Sequence, residues 1–171
     1  MRQVRALDSL LAVHAENEFV TVYLAEELRS RGRRDPLAWA ESRPGYQEVE
    51  SVARVLHWAA TTGAALHVVH ASVPDVVRLV AAAKRRGVPV TVEAWPHHLL
   101  LDLDDFQRIG PGAKCAPPLH SRVTMEDLWQ CVLDGDVDTF GSDHSSSSRT
   151  QAGQRRQRVA GFPASRPCCL H

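Results

Sequence analysis

Short apolar runs alternate along the chain with longer segments whose apolar residues recur every three to four positions, a pattern that predicts strand, helix, strand in repetition. The first run, residues 10–13, has the length and flanks of a buried strand. Residues 18–31 follow as a helix stopped at Gly32. After a Pro-containing stretch, 35–44, a second helix covers residues 47–62, with Val49, Val52, Ala53, Leu56 and Ala60 on one face and Gly63 at its end. A strand through residues 66–69 comes next, and Ser72 with Pro74 signals the start of a helix over 76–86. Residues 88–92 read as another strand. From Pro96 the pattern loosens into His97-His98, a short acidic helix around 102–109, and a Pro/Gly-rich loop through Pro118. A last helix, 123–133, stops near Gly135 and leads into a strand that ends at Asp143. No sequence repeat accompanies this alternation.

Four strands with helices between them predict an α/β fold, a partial TIM-type (β/α)8 barrel. A complete barrel takes ~250 residues, and this chain has 171. Residues 1–144 read as the partial barrel and 145–171 as an irregular tail. The tail opens on Ser145-Ser146-Ser147-Ser148 and is rich in Arg, Gln, Ser and Pro. It reads either as a disordered segment or as the product of a shifted reading frame.

Twenty basic and twenty acidic residues cancel. The basic clusters at residues 29–34 and 84–86 fall at predicted helix ends, where cations complement the helix dipole, so no nucleic-acid partner is expected. No run approaches the ~20 apolar residues of a membrane span, and no secretion signal is visible. The expectation is a cytoplasmic protein without a membrane partner. Cys115, Cys131, Cys168 and Cys169 lack Cys-x-x-Cys spacing, which supports neither a disulfide framework nor a cysteine zinc site.

His14, His70 and Asp143 each stand where an apolar run ends and a turn begins. In a parallel barrel those strand ends converge on one mouth, and imidazole with carboxylate suits a divalent metal such as zinc. Each residue alone has a plainer role open to it, a hydrogen-bonded structural histidine or, for Asp143, a turn or helix cap. His67, three positions before His70, is expected on the other face of its strand.

His14-Ala15-Glu16-Asn17, Ser42-Arg43-Pro44 with Glu48, the run 66–70, Pro96-His97 with Leu99-Leu100, the run 114–119, and Gly141-Ser142-Asp143-His144 together resemble the cyclic amidohydrolases, the superfamily of dihydroorotases and hydantoinases. The likeness runs from about Leu10 to His144 and is strongest to the allantoinase branch, in residues 40–50 and 106–119. It implies a metal-dependent hydrolase that opens a cyclic amide, allantoin to allantoate in that branch, with this chain covering about strands 5 to 8 of the barrel. It also implies two divalent ions, usually zinc, that share a hydroxide and a carboxylated lysine. His14 and His70 match the histidines of one ion. Asp143 matches the aspartate of the other, which carries a proton from the bridging water to the leaving nitrogen. His97 matches a histidine near the substrate pocket, although Trp95 and His98 stand where Cys and Tyr are usual. Residues 114–119, with Cys115 and Pro117, either line that pocket or only shape the loop through a Pro-Pro turn. The implied partner is a small cyclic amide, and the complete enzyme is expected to be a homo-oligomer.

The departures bear on activity. Such enzymes place a His-x-His pair after the first strand and the bridging lysine on the fourth. The sequence has no His-x-His, and its lysines, Lys84 and Lys114, follow other strands. The expectation is an inactive fragment that begins near the parent protein's fourth helix and leaves strand edges and an apolar face open. Two other readings stand beside it. One is a dihydroorotase or a hydantoinase/dihydropyrimidinase, against which Ser147 occupies the place of a dihydroorotase histidine. The other is a non-catalytic product that needs an N-terminal half.

Overall fold

A computed structural model describes residues 1–144; the expected irregular tail, 145–171, lies outside the described residues. Four strands, β1 (Leu10–Val13), β2 (Ala65–Ala71), β3 (Val90–Ala94) and β4 (Thr139–Phe140), form one parallel sheet in the order of the sequence. A doubly wound sheet reverses its strand order at a switch point. This one advances in a single direction, as the wall of a barrel does, so the partial (β/α)8 barrel read from the sequence is the observed architecture.

Helices fill every crossover. α1 (Arg2–Ala6) precedes β1; α2 (Glu18–Ser30), α3 (Pro36–Glu41) and α4 (Gly45–Thr62) lead to β2; α5 (Pro74–Arg85) leads to β3. α6 (Pro96–Leu100), α7 (Leu103–Ile109), a 3-10 turn at Gly110–Ala113 and α8 (Arg122–Leu133) lead to β4. The cause of each start is local. Asn17 Oδ1 accepts from the backbone N–H of Phe19 (3.1 Å) and Val20 (3.3 Å), which caps α2 four residues after β1. Asp35 caps α3 with Pro36 at its first position; this helix lies in the stretch that the apolar pattern left without an element. Gly63 takes a left-handed conformation, φ 67°, and closes α4.

Alternation along the strands divides the sheet into two faces. Leu66, Val68, Val90 and Val92 are buried against Val52, Leu56 and Ala59 of α4, Val76, Val77 and Val80 of α5, and Leu128 of α8. The opposite face carries Ala12, His67 and Thr91 in one row, with His67 Nδ1 2.7 Å from Thr91 Oγ1. A second, smaller cluster joins Ala40, Phe106, Ala113 and Leu119, with Trp39 and Cys115 packed against it. Among the described residues no helix is long and apolar enough to cross a membrane.

Two strands differ from their expected limits. β3 starts at Val90 rather than residue 88, because Pro89 has no N–H for the ladder. β4 is two residues long, so Asp143 lies three residues beyond it, with a left-handed φ of 43°.

Candidate functional site

All strands point the same way, so their C-terminal ends share one edge, and the three residues read as ligands are delivered there. His14 follows β1 directly. His70 lies at the end of β2, with φ 42° and a register irregularity between Val68 and Ala71. Glu93 of β3 meets both histidines, the ring of His67 and the backbone N–H of His70, while the alternation of exposure from residue 65 to 70 keeps the two in opposite classes. The His70 N–H donates to Glu93 Oε1 at 3.2 Å, and His67 Nε2 is 3.8 Å from Glu93 Oε2. A β-carbon on Gly141 would overlap the same carboxylate, so Glu93 spans from β2 to the chain just after β4.

The two histidine rings meet. His14 Nδ1 is 2.9 Å from His70 Nε2, with ring centroids 4.7 Å apart in an edge-to-face arrangement. On its other side, His14 Nε2 is 2.9 Å from Glu16 Oε2. With Nε2–H donated to Glu16, His14 presents Nδ1 as acceptor and His70 Nε2–H donates to it; this tautomer assignment follows from the network. His70 Nδ1 is then a buried lone pair without a partner. Burial, and then the neighbouring His14, hold His70 below the usual imidazole range, against the opposite pull of Asp143 and Glu93. For Glu16, burial pushes the carboxyl up, but the His14 hydrogen bond, the charges of His14 and Arg43 and a bond from Gln47 together leave it below its ordinary value.

Aromatic rings continue from this pair. His70 packs edge-to-face on Trp95 at 4.8 Å, and Trp95 stacks on His98 at 5.5 Å with planes 7° apart. His98 is buried and sits 3.0 Å from the Pro117 carbonyl through Nε2, with Cys115 Sγ at 3.9 Å. His97 is exposed, its ring 5.9 Å from Trp95. The fold therefore turns His98, not His97, toward residues 115–117. Burial pushes the Cys115 thiol up to about 12, which makes it a poor nucleophile at neutral pH. Pro117 is buried and follows a cis peptide.

Behind the edge, Glu48 of α4 is almost fully buried. Its Oε1 accepts from Ser72 N–H at 3.1 Å, Oε2 meets Ser72 Oγ, and Ser72 Oγ is 2.9 Å from His120 Nε2. Glu16, Glu93 and His120 received no role from the sequence pattern; Ser72, read there as part of a helix start, does not cap α5, whose N-cap is Val73, and its hydroxyl joins Glu48 to His120 instead. The signal for Glu93 was an acid inside an otherwise apolar strand.

The donors at the edge match a divalent ion in type. Two nitrogen ligands at ~2.0 Å on a tetrahedral ion stand ~3.3 Å apart, so His14 and His70 need separate only slightly, and the orphaned His70 Nδ1 marks a polar interior the network leaves incomplete. They fall short in number. Among the described residues no group of three or more His, Cys, Asp or Glu is placed to hold a metal, whereas a catalytic zinc takes about three protein ligands. Asp143 is exposed and acts on His70 through its charge.

A singly wound parallel wall with paired imidazoles at the C-terminal strand edge is the arrangement of an amidohydrolase barrel, and solved structures agree. An L-hydantoinase (dihydropyrimidinase) from Arthrobacter aurescens superposes with a TM-score of 0.86 at 35% identity, over 91% of this chain and 35% of that one. A D-hydantoinase (dihydropyrimidinase) from Thermus sp. gives 0.84 at 32%, over 98% and 37%. The chain superposes on part of the structure of each of these hydantoinases.

Within that superfamily it resembles the allantoinases. The allantoinase of Bacillus velezensis is 42% identical over 145 residues, 85% of this chain and 32% of the relative, and that of Deinococcus radiodurans gives the same values. The allantoinase of Salmonella paratyphi B is 36% identical over 163 residues, 95% of the chain and 36% of the relative. The chain thus spans about a third of the length of the curated relatives it matches. No family model matches it.

Proposed function

We propose that this chain is part of an allantoinase-type hydrolase, which opens the cyclic ureide allantoin to allantoate, and that alone it is an incomplete catalyst. The observation that carries this reading is the His14–His70 ring pair at the C-terminal strand edge, with its buried, unpartnered Nδ1. In this reading His14 and His70 would hold one zinc ion and Asp143 the other in the complete enzyme. A zinc held there would supply a water whose pKa is lowered toward ~7 and would polarise the ring carbonyl. Glu16 fixes the tautomer and orientation of His14 through the 2.9 Å contact at Nε2. Asp143 takes the proton of the attacking water and returns it to the leaving nitrogen. His98 holds the backbone of Pro117 and so shapes the loop that carries Cys115, while exposed His97 reaches ligand from the rim.

The hydantoinase likeness of the solved structures supports a second reading, in which the ring is a hydantoin or dihydropyrimidine. One experiment addresses both. The chain is assayed for zinc by calorimetry and for opening of allantoin, hydantoin and dihydroorotate, alone and mixed with a polypeptide that supplies the remaining strands of an allantoinase barrel. Weak zinc binding by the chain alone, and allantoin opening in the mixture, are expected. Tight stoichiometric zinc with turnover by the isolated chain would refute its incompleteness. Preferential opening of hydantoin or dihydroorotate would refute the substrate.

A further inference from the structure

The sheet ends in two open edges. β2 and β3 each pair on both sides, whereas among the described residues β1 pairs with β2 alone and β4 with β3 alone. Exposure follows the pairing. β2 and β3 alternate between buried and half-buried residues, β1 between half-buried and exposed ones, and both residues of β4 are exposed. Leu11 and Val13 are in register with the buried Leu66 and Val68 yet are themselves half-buried. Leu10 is 60% exposed and Phe140 58%. An open strand edge beside exposed apolar side chains is a template for a further strand.

The two edges suit each other. All four strands are parallel and wound in one direction, so the outer edge of β4 can receive a β1 running the same way, as β3 receives β4. Two copies joined in this manner at both seams, about a two-fold axis along the barrel, make eight strands, the number at which a parallel barrel closes on an interior filled by side chains. The N-terminal end of β4 then lies beside the N-terminal end of β1 in the other copy. At that end β1 is preceded by Arg2 and Arg5 of α1, both exposed, and by Asp8, 3.6 Å from Arg5. β4 is preceded by Asp134 and Asp136, with Asp138 tied to Lys84. A basic segment thus meets an acidic one. Leu7, 74% exposed, and Leu133, 75% exposed, belong to the same two segments and add apolar surface to the seam. Pairing of like edges, β1 on β1 or β4 on β4, brings no basic segment to an acidic one.

We propose that the outer edges of β1 and β4 are docking surfaces for a second copy of this chain, and that two copies close one eight-stranded barrel through two identical β4–β1 seams. The dimer repeats His14, His70 and Asp143 and adds no residue type that the chain lacks, so the incompleteness proposed above stands apart from it.

Light scattering on the full chain as it leaves a sizing column, over a range of concentrations, should give twice the chain mass. Asp134→Arg with Asp136→Arg makes both edges basic, and Arg2→Glu with Arg5→Glu makes both acidic. Each double variant alone should dissociate at least tenfold more readily than the unaltered chain. Mixed in equal amounts, the two should recover the dimer, because each seam of the mixed pair joins opposite charges. Should either variant fail to fold, amide exchange of the unaltered chain decides: residues 10–13 and 139–140 should exchange faster once dilution separates the copies. The polypeptide that supplies the remaining strands claims the same edges and should displace the second copy. A chain that stays monomeric, assemblies larger than two, a dimer indifferent to both charge reversals, no recovery on mixing, edge amides unmoved by dilution, or a complex that holds that polypeptide and the second copy together overturns the proposal.

Discussion

Replacing Glu48 by Gln should stabilise the chain in neutral solution, and by an amount that grows with pH. Glu48 is 4% exposed. Burial pushes its carboxyl from an ordinary 4.5 up to about 7, against the hydrogen bonds from Ser72. Burial also drives His120 down to about 4. Between those values both groups are neutral, and Ser72 links them: its O–H donates to Glu48 Oε2, and its Oγ stands 2.9 Å from His120 Nε2. In the unfolded chain Glu48 gives up its proton near 4.5, while the folded chain keeps it to about 7. The folded state therefore binds one more proton in that window, and its stability falls as pH rises through it. At about 1.4 kcal/mol per tenfold change in proton affinity, the loss is roughly 3 kcal/mol by pH 8. Glutamine cannot ionise, yet its amide can donate to Ser72 Oγ and accept from Ser72 N–H. Urea unfolding of both proteins at pH 4.5 and pH 8 measures the effect, and histidines common to both cancel in the difference. The advantage of the glutamine variant should grow by roughly 3 kcal/mol between the two conditions. A difference constant to within about 1 kcal/mol would show that Glu48 ionises freely in the fold, and the reasoning fails.

Two further outcomes are expected. Gly141→Ala places a β-carbon against the Glu93 carboxylate; the side-chain end can swing away, so global stability should fall by only about 1 kcal/mol, but the His70 N–H loses its acceptor. Hydrogen exchange at the His70 amide should quicken, and an unchanged rate would contradict the contact. In the Glu48→Gln variant, stability should decline as pH drops from about 6.5 toward 4, because the unfolded chain protonates His98 and His120 while burial holds them to about 3 and about 4 in the fold. Urea midpoints flat across that range would refute it.

The apolar period carried the four strands and the long helices, since α4 and α5 are long enough for a face to declare itself. It could not carry α1 and α3, five and six residues long. For α3 the local chemistry of Asp35-Pro36 was the available cue. At the site, His14, His70 and Asp143 were legible as candidates because a polar residue just after an apolar strand leaves a mark in one dimension. The residues that hold them were not. Glu16 and Glu93 act across elements, and nothing local separates a bridging acid from a solvated one. Adjacent residues on a helix point ~100° apart, so the assignment between His97 and His98 waited on where α6 packs.

The meeting of Glu93 with Gly141 has a consequence for how this part of the barrel can vary among descendants. An acid at position 93 in this pose disfavours a side chain at 141, because the carboxylate occupies the volume a β-carbon would take and must swing aside to admit one. A lineage that replaces the acid by a smaller residue frees position 141 to accept alanine or serine. One that keeps the acid admits a side chain at 141 only by moving the carboxylate off the His70 N–H. Two positions far apart in the gene are thereby coupled, and a change at 141 costs less once the acid has gone.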